Sequence, residues 1–128
     1  GLESQTVLLA AERVSPAQLS ELEDIVWQLR DENDLEKSAA LDKRLHYLIG
    51  EAAGNQLIMV ILRAMSETVD SFISHMREKM MLDEGYRKRL QDTHQGIVLA
   101  LQDRNGVEAA RMMREHFRVV DSAMVDLF

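Results

Sequence analysis

Apolar residues recur along the chain at intervals of three and four, with polar residues between them. Leu19, Leu22, Val26 and Leu29 repeat in this way, and Leu90, Ile97, Val98 and Leu101 repeat again further on. That is the period of one face of a helix, not the alternation of a strand. Breaks in the pattern divide it into about six helices. The first runs from Leu2 to Arg13. Ser15-Pro16-Ala17-Gln18 opens the second, with Ser15 as cap, Pro16 at the first helical position and Gln18 completing a capping box. That helix reaches Arg30. Asp31 to Asp34 is a polar turn, and Asp34 is placed to cap a third helix from Leu35 to Ala53, which Gly54-Asn55 ends with a C-terminal glycine signal. A long fourth helix covers Gln56 to Met81, and Leu82-Asp83-Glu84-Gly85 breaks it. The fifth covers Tyr86 to Asp103. Asn105-Gly106 then turns tightly into the sixth, Gly106 to Asp126.

Composition agrees with this reading. The 128 residues include one proline and six glycines, and 46% are apolar, so the helices must bury their faces on one another. The expectation is a single all-α domain over residues 1–128, an antiparallel helical bundle. The net charge of −7 disfavours direct contact with a phosphate backbone. No run of 18 apolar residues is present, so no membrane span is expected. Cysteine is absent, which removes disulfides and thiolate ligands and fits a cytoplasmic protein. The opening Gly1-Leu2-Glu3-Ser4 has no signal-peptide character.

The candidate chemistry lies in polar residues that interrupt apolar stripes. Asp42 and His46 are four apart, on one face of the third helix with Leu35, Ala39, Ile49 and Ala53. Their backbones are roughly 6 Å apart. His94 and His116 are equidistant from Asn105. In an antiparallel hairpin both therefore lie at one level, roughly 16 Å from the turn. Four such groups converging would hold one cation, and nitrogen-rich ligation favours Zn²⁺ or Ni²⁺ over Mg²⁺ or Ca²⁺. On residues alone the bland alternatives stand: an i,i+4 ion pair, and histidines hydrogen-bonded in a core. His75 falls outside the constellation and reads as a surface or interface residue. Met76, Met80 and Met81 read as core, or as a dimer surface. No H-E-x-x-H, E-x-x-H, G-x-S-x-G or Walker motif is present, so an enzyme is not expected. The alternatives from other classes are a metal-dependent hydrolase or lyase and a metal-free helical interaction domain.

Leu9-Ala10-Ala11-Glu12-Arg13, Asp42-x-x-Leu45-His46, Glu51-Ala52-Ala53-Gly54-Asn55, His94-x-x-Ile97 and Met113-Arg114-Glu115-His116-Phe117 occur in this order. The set resembles the FCD (FadR C-terminal) ligand-sensing domain of GntR-type bacterial transcription regulators. The resemblance implies a helical bundle with a central pocket. There an Asp and three His, matching Asp42, His46, His94 and His116, hold a divalent metal, most often zinc. A small organic acid would bind at or beside it. It further implies a homodimer, and DNA binding through an N-terminal winged-helix domain that lies outside this chain. Leu45 stands where the family usually has Phe. One effector-contacting arginine of the family would fall before Gly1, and a second basic position falls at Ser66. Where the third and fourth helices meet at Gly54, residues near Ala64 are expected level with Asp42. Arg63 and Ser66 are therefore candidate ligand contacts, and Asn55 is a third that more readily shapes the turn.

Overall fold

A computed structural model describes residues 2–64 and 66–128, with the side chains of all of these except residues 2, 3, 62, 66 and 69. The described residues form helices and connecting turns, with no strand. The helices are α1 (Leu2–Arg13), α2 (Pro16–Asp31), α3 (Leu35–Ala53), α4 (Gln56–Ala64), α5 (Ser66–Met80), α6 (Glu84–Gln102) and α7 (Gly106–Leu127). The long helix expected over Gln56–Met81 corresponds to α4 and α5, which flank residue 65, outside the described residues.

The ends of the helices follow from their capping residues. Ser15 Oγ accepts from the Gln18 amide at 3.1 Å, and Gln18 Oε1 accepts from the Ser15 amide at 2.9 Å, closing the capping box. Asp34 Oδ1 caps α3 by accepting from the Lys37 amide at 3.0 Å. Gly54 ends α3 with φ +64°, a conformation that a side chain would strain. Asp83 accepts from the Tyr86 amide at 3.0 Å, so α6 starts at Glu84 and not at Tyr86 as expected. Asn105 caps α7 through the Glu108 amide at 3.0 Å.

Two arginines close the opposite ends. Arg13 donates to the Ala53 carbonyl at 2.8 Å, fastening α1 to the end of α3. Arg104 donates to the Val14 carbonyl at 2.8 Å, fastening the α6–α7 turn to the end of α1. Cations at helix C-termini satisfy free carbonyls and complement the helix dipole.

α6 and α7 form an antiparallel hairpin, and α1 packs against both α7 and α3. The approach of α1 to α7 is close: a Cβ added at Gly106 would lie 3.1 Å from Leu8 Cδ2. α2 covers α3 and α6, and α5 packs on α3, α6 and α7. The buried apolar residues form two clusters. The larger unites α1, α2, α3, α6 and α7 through Val7, Leu22, Leu45, Ile49, Ile97 and Met113. The smaller joins α5, α6 and α7 through Met76, Met80, Tyr86, Leu90, Val119 and Ala123. Along α6, His94 sits between Leu90 of one cluster and Ile97 of the other; along α7, His116 sits between Met113 and Val119. A polar layer thus divides the core. No described helix is long and apolar enough to cross a membrane.

Replacing Ser15 by Ala removes one half of the capping box. Urea denaturation should show a loss of about 1 kcal/mol with an unchanged m-value.

Candidate metal centre

The dividing layer is assembled from four helices. α3 supplies Asp42 and His46 one turn apart, α5 supplies Arg77, α6 supplies Thr93 and His94, and α7 supplies His116. Asp42, Arg77, Thr93, His94 and His116 are all buried, and His46 is partly exposed. One atom from each of the three histidines can be chosen so that all lie within 4.8 Å of one another. The His94 and His116 ring centroids are 4.8 Å apart, and those of His46 and His116 are 5.4 Å apart. The hairpin symmetry about Asn105 therefore does bring its two histidines side by side.

Asp42 divides its two oxygens between two tasks. Oδ2 accepts from Arg77 Nε at 2.7 Å. Oδ1 faces the imidazoles, 3.3 Å from His46 Nε2 and 3.7 Å from His94 Nε2. Burial alone would raise the Asp42 carboxyl. The Arg77 guanidinium, with His46 and His94, outweighs that and holds it well below the usual carboxylate range. Burial acts the other way on the histidines. It drives His94 well below the ordinary imidazole range against the pull of Asp42. It lowers His116 to about 3, with His46 adding to the effect. Both rings are therefore neutral near pH 7, the form that offers a lone pair to a metal.

The tautomer of His116 follows from its neighbour. The Thr93 hydroxyl donates to the Leu90 carbonyl at 2.7 Å and lies 3.2 Å from His116 Nδ1. Its single proton is committed to that carbonyl, so its oxygen accepts from Nδ1–H, and Nε2 keeps its lone pair. A second partner of this kind is what orients metal-ligating imidazoles. Asp42 Oδ1 and both nitrogens of His94 have no hydrogen-bond partner among the described residues. Buried polar atoms left in this state are costly unless something else satisfies them. The donor set fits a divalent ion.

A cavity of about 170 Å³ opens beside this layer. Asp42, His46, Arg77 and His116 line its polar end. Ile73, Met76, Met80, Leu90 and Val120 form apolar walls, with Tyr47, Phe72 and Phe117 completing the lining. Phe72 and Phe117 are partly solvent-exposed, so the cavity reaches the surface.

The other residues singled out in the sequence lie elsewhere. Asn55 Oδ1 caps α4, accepting from the Leu57 and Ile58 amides at 2.9 and 3.2 Å. Arg63 is exposed on α4, and the Ser66 side chain lies outside the described residues. His75 is exposed, with its ring 4.9 Å from that of Phe128. Arg77 and Thr93 belong to the layer although neither is among the residues singled out in the sequence. Arg77 carried a legible signal, because it interrupts the Ile73, Met76, Met80 stripe as Asp42 interrupts that of α3. Thr93 carried none beyond adjacency to His94.

The profile of the FCD domain family matches residues 1–119. The chain belongs to the FCD family. The FCD chain is also similar to proteins named "Putative L-lactate dehydrogenase operon regulatory protein" from Escherichia coli (strain K12) and Shigella flexneri. Identity to each is 24% over 123 residues, covering 96% of this chain and 47% of the relative. The FCD chain thus spans about half the length of these curated relatives.

The buried neutral histidines set a pH dependence. In the unfolded chain both titrate near 6.5, whereas in the folded protein both resist protonation. Below about pH 6.5 the unfolded state binds more protons, so stability falls with pH, by about 1 kcal/mol for each histidine between pH 6.5 and 5.5. Urea midpoints of chelator-treated protein should fall across this interval, and the His116→Gln variant should show a shallower fall.

Proposed function

We propose that this FCD domain is the effector-sensing part of a GntR-type transcription regulator. In this reading Asp42, His46, His94 and His116 hold a divalent metal, with zinc first and nickel second, and a small carboxylate is read beside it. The observation that carries the reading is the convergence of three imidazoles within 4.8 Å, with Asp42 Oδ1 against two of them, beside a cavity. A metal bound there would supply Lewis-acid attraction for a carboxylate oxygen. The chain's own groups do the rest. Arg77 holds Asp42 so that one oxygen faces the histidines, and Thr93 holds His116 in the required tautomer.

The role is regulatory and not catalytic, a reading supported by the family and by the operon-regulator name of the relatives. DNA would be bound by a winged-helix domain elsewhere in the full-length protein, as a cytoplasmic homodimer. Because the site draws on α3, α5, α6 and α7, a ligand favouring one packing of these helices would shift their arrangement. The shift is limited by its differential affinity for the two states.

Protein purified without added metal or chelator should carry about one zinc or nickel per chain by plasma mass spectrometry. His94→Ala and His116→Ala should each abolish it, and stoichiometric metal in both variants would refute the site. Thr93→Val keeps the shape of the side chain and removes the acceptor for His116. It should weaken zinc binding roughly tenfold in a chelator competition, whereas Thr93→Ser should restore it.

A further inference from the structure

A second cavity, of about 160 Å³, is a groove between α2 and α6 that shares no lining residue with the first. Its lining runs from buried Val26 and Val98 to Trp27 and Leu99, which are 66% and 51% exposed. Trp27 is the single tryptophan of the chain. The core uses Leu22, Ile25, Val26 and Leu29 of α2 and leaves this indole in water. Tryptophan and arginine are the residue types on which protein interfaces most often turn, and Arg30 lies over the Trp27 ring, 5.5 Å from its centroid.

The charges around Trp27 say what would cover it. α2 carries the acids Glu21, Glu23, Asp24 and Asp31 and one base, Arg30. Glu21 is paired with Arg44 at 2.8 Å. Glu23 and Asp24 are exposed one turn before Trp27, and Arg30 is exposed one turn after it. A surface of that pattern is its own complement. When two α2 helices cross antiparallel at Trp27, Arg30 of each copy falls opposite Glu23 and Asp24 of the other, and the two indoles meet at the centre. Two chains of net charge −7 repel in most orientations, whereas this crossing sets a cation against acids twice. The groove has room for the ring that would arrive: its volume is close to that of an apolar cavity of ~150 Å³ known to admit benzene.

We propose that the α2–α6 groove is the face through which two copies of this chain associate. They meet by a two-fold antiparallel crossing of α2, in which Trp27 enters the other copy's groove and Arg30 pairs with its Glu23 and Asp24. This names the face of the homodimer proposed above, and it depends on neither the metal nor the effector.

The test is sedimentation velocity on the 128-residue chain across a dilution series, followed in parallel by tryptophan fluorescence. Association should move the Trp27 emission to shorter wavelength. Trp27→Ala and Arg30→Glu, both at exposed positions, should each weaken the dimer at least tenfold. The double variant Glu23→Lys/Asp24→Lys should be weakened as much when alone. Mixed in equal amounts with Arg30→Glu, it should form a heterodimer at least tenfold tighter than either variant forms with itself, because every charge at the crossing then faces its opposite.

A dimer that Trp27→Ala and Arg30→Glu leave unchanged would overturn this face and leave the homodimer standing on another. Failure of the mixed variants to associate would overturn the pairing of Arg30 with Glu23 and Asp24. A wild-type chain that stays monomeric, with an emission that does not move on concentration, would overturn this face and the part of this domain in the homodimer together.

Discussion

The negative charge of Asp42, buried on the core-facing side of α3, is the constraint on which the rest of the arrangement depends. A lone carboxylate in that position would be intolerable, and protonation would be its ordinary escape. It is instead kept ionised by a guanidinium brought from α5, 35 residues away in sequence. Its second oxygen is turned to histidines from α3 and α6. The ion pair should not be read as a source of stability, because desolvating two charges offsets most of their attraction. Its consequence is positional: it fixes α5 against α3 and fixes the direction in which the carboxylate is offered.

The same layer explains why the core is divided. Each side of it is packed with aliphatic residues and methionine, the larger side fastening α1, α2, α3, α6 and α7. Between the two, His94 has two unpartnered nitrogens, and Arg77 has one. Stability alone would fill such a layer with apolar side chains. Orphaned donors and acceptors gathered from three helices, beside a cavity open to solvent, are what a binding site looks like before its ligands arrive. Helices that meet at that layer are also those whose packing a ligand could change.

Much of this was legible in the chain because local chemistry and hairpin geometry are short-range. The Ser15 box, the Gly54 stop and the Asn105 turn are read from neighbouring residues, and they place the helix ends. Symmetry about Asn105 then puts His94 and His116 level, since α6 and α7 pair as a simple hairpin. The same operation about Gly54 did not find Arg77. It places residues near Ala64 level with Asp42, whereas the arginine at Asp42 is Arg77, and Arg63 is exposed. Eleven residues of helix separate position 66 from Arg77, roughly 16 Å of rise. α5 therefore does not run beside α3 in hairpin register about Gly54. The contact that marks its register, Arg77 on Asp42, lies 35 residues apart in sequence, and no local signal encodes it. Thr93 escaped notice for a related reason: a threonine beside a histidine has meaning only once the partner helix supplies His116.

Whether this layer holds a metal is decided by X-ray absorption at the zinc edge on protein loaded with one equivalent. The expected shell includes three imidazole nitrogens and one carboxylate oxygen at about 2.0–2.2 Å. A shell made of oxygen alone, or one with fewer than three imidazoles, would show that the layer is not the metal site.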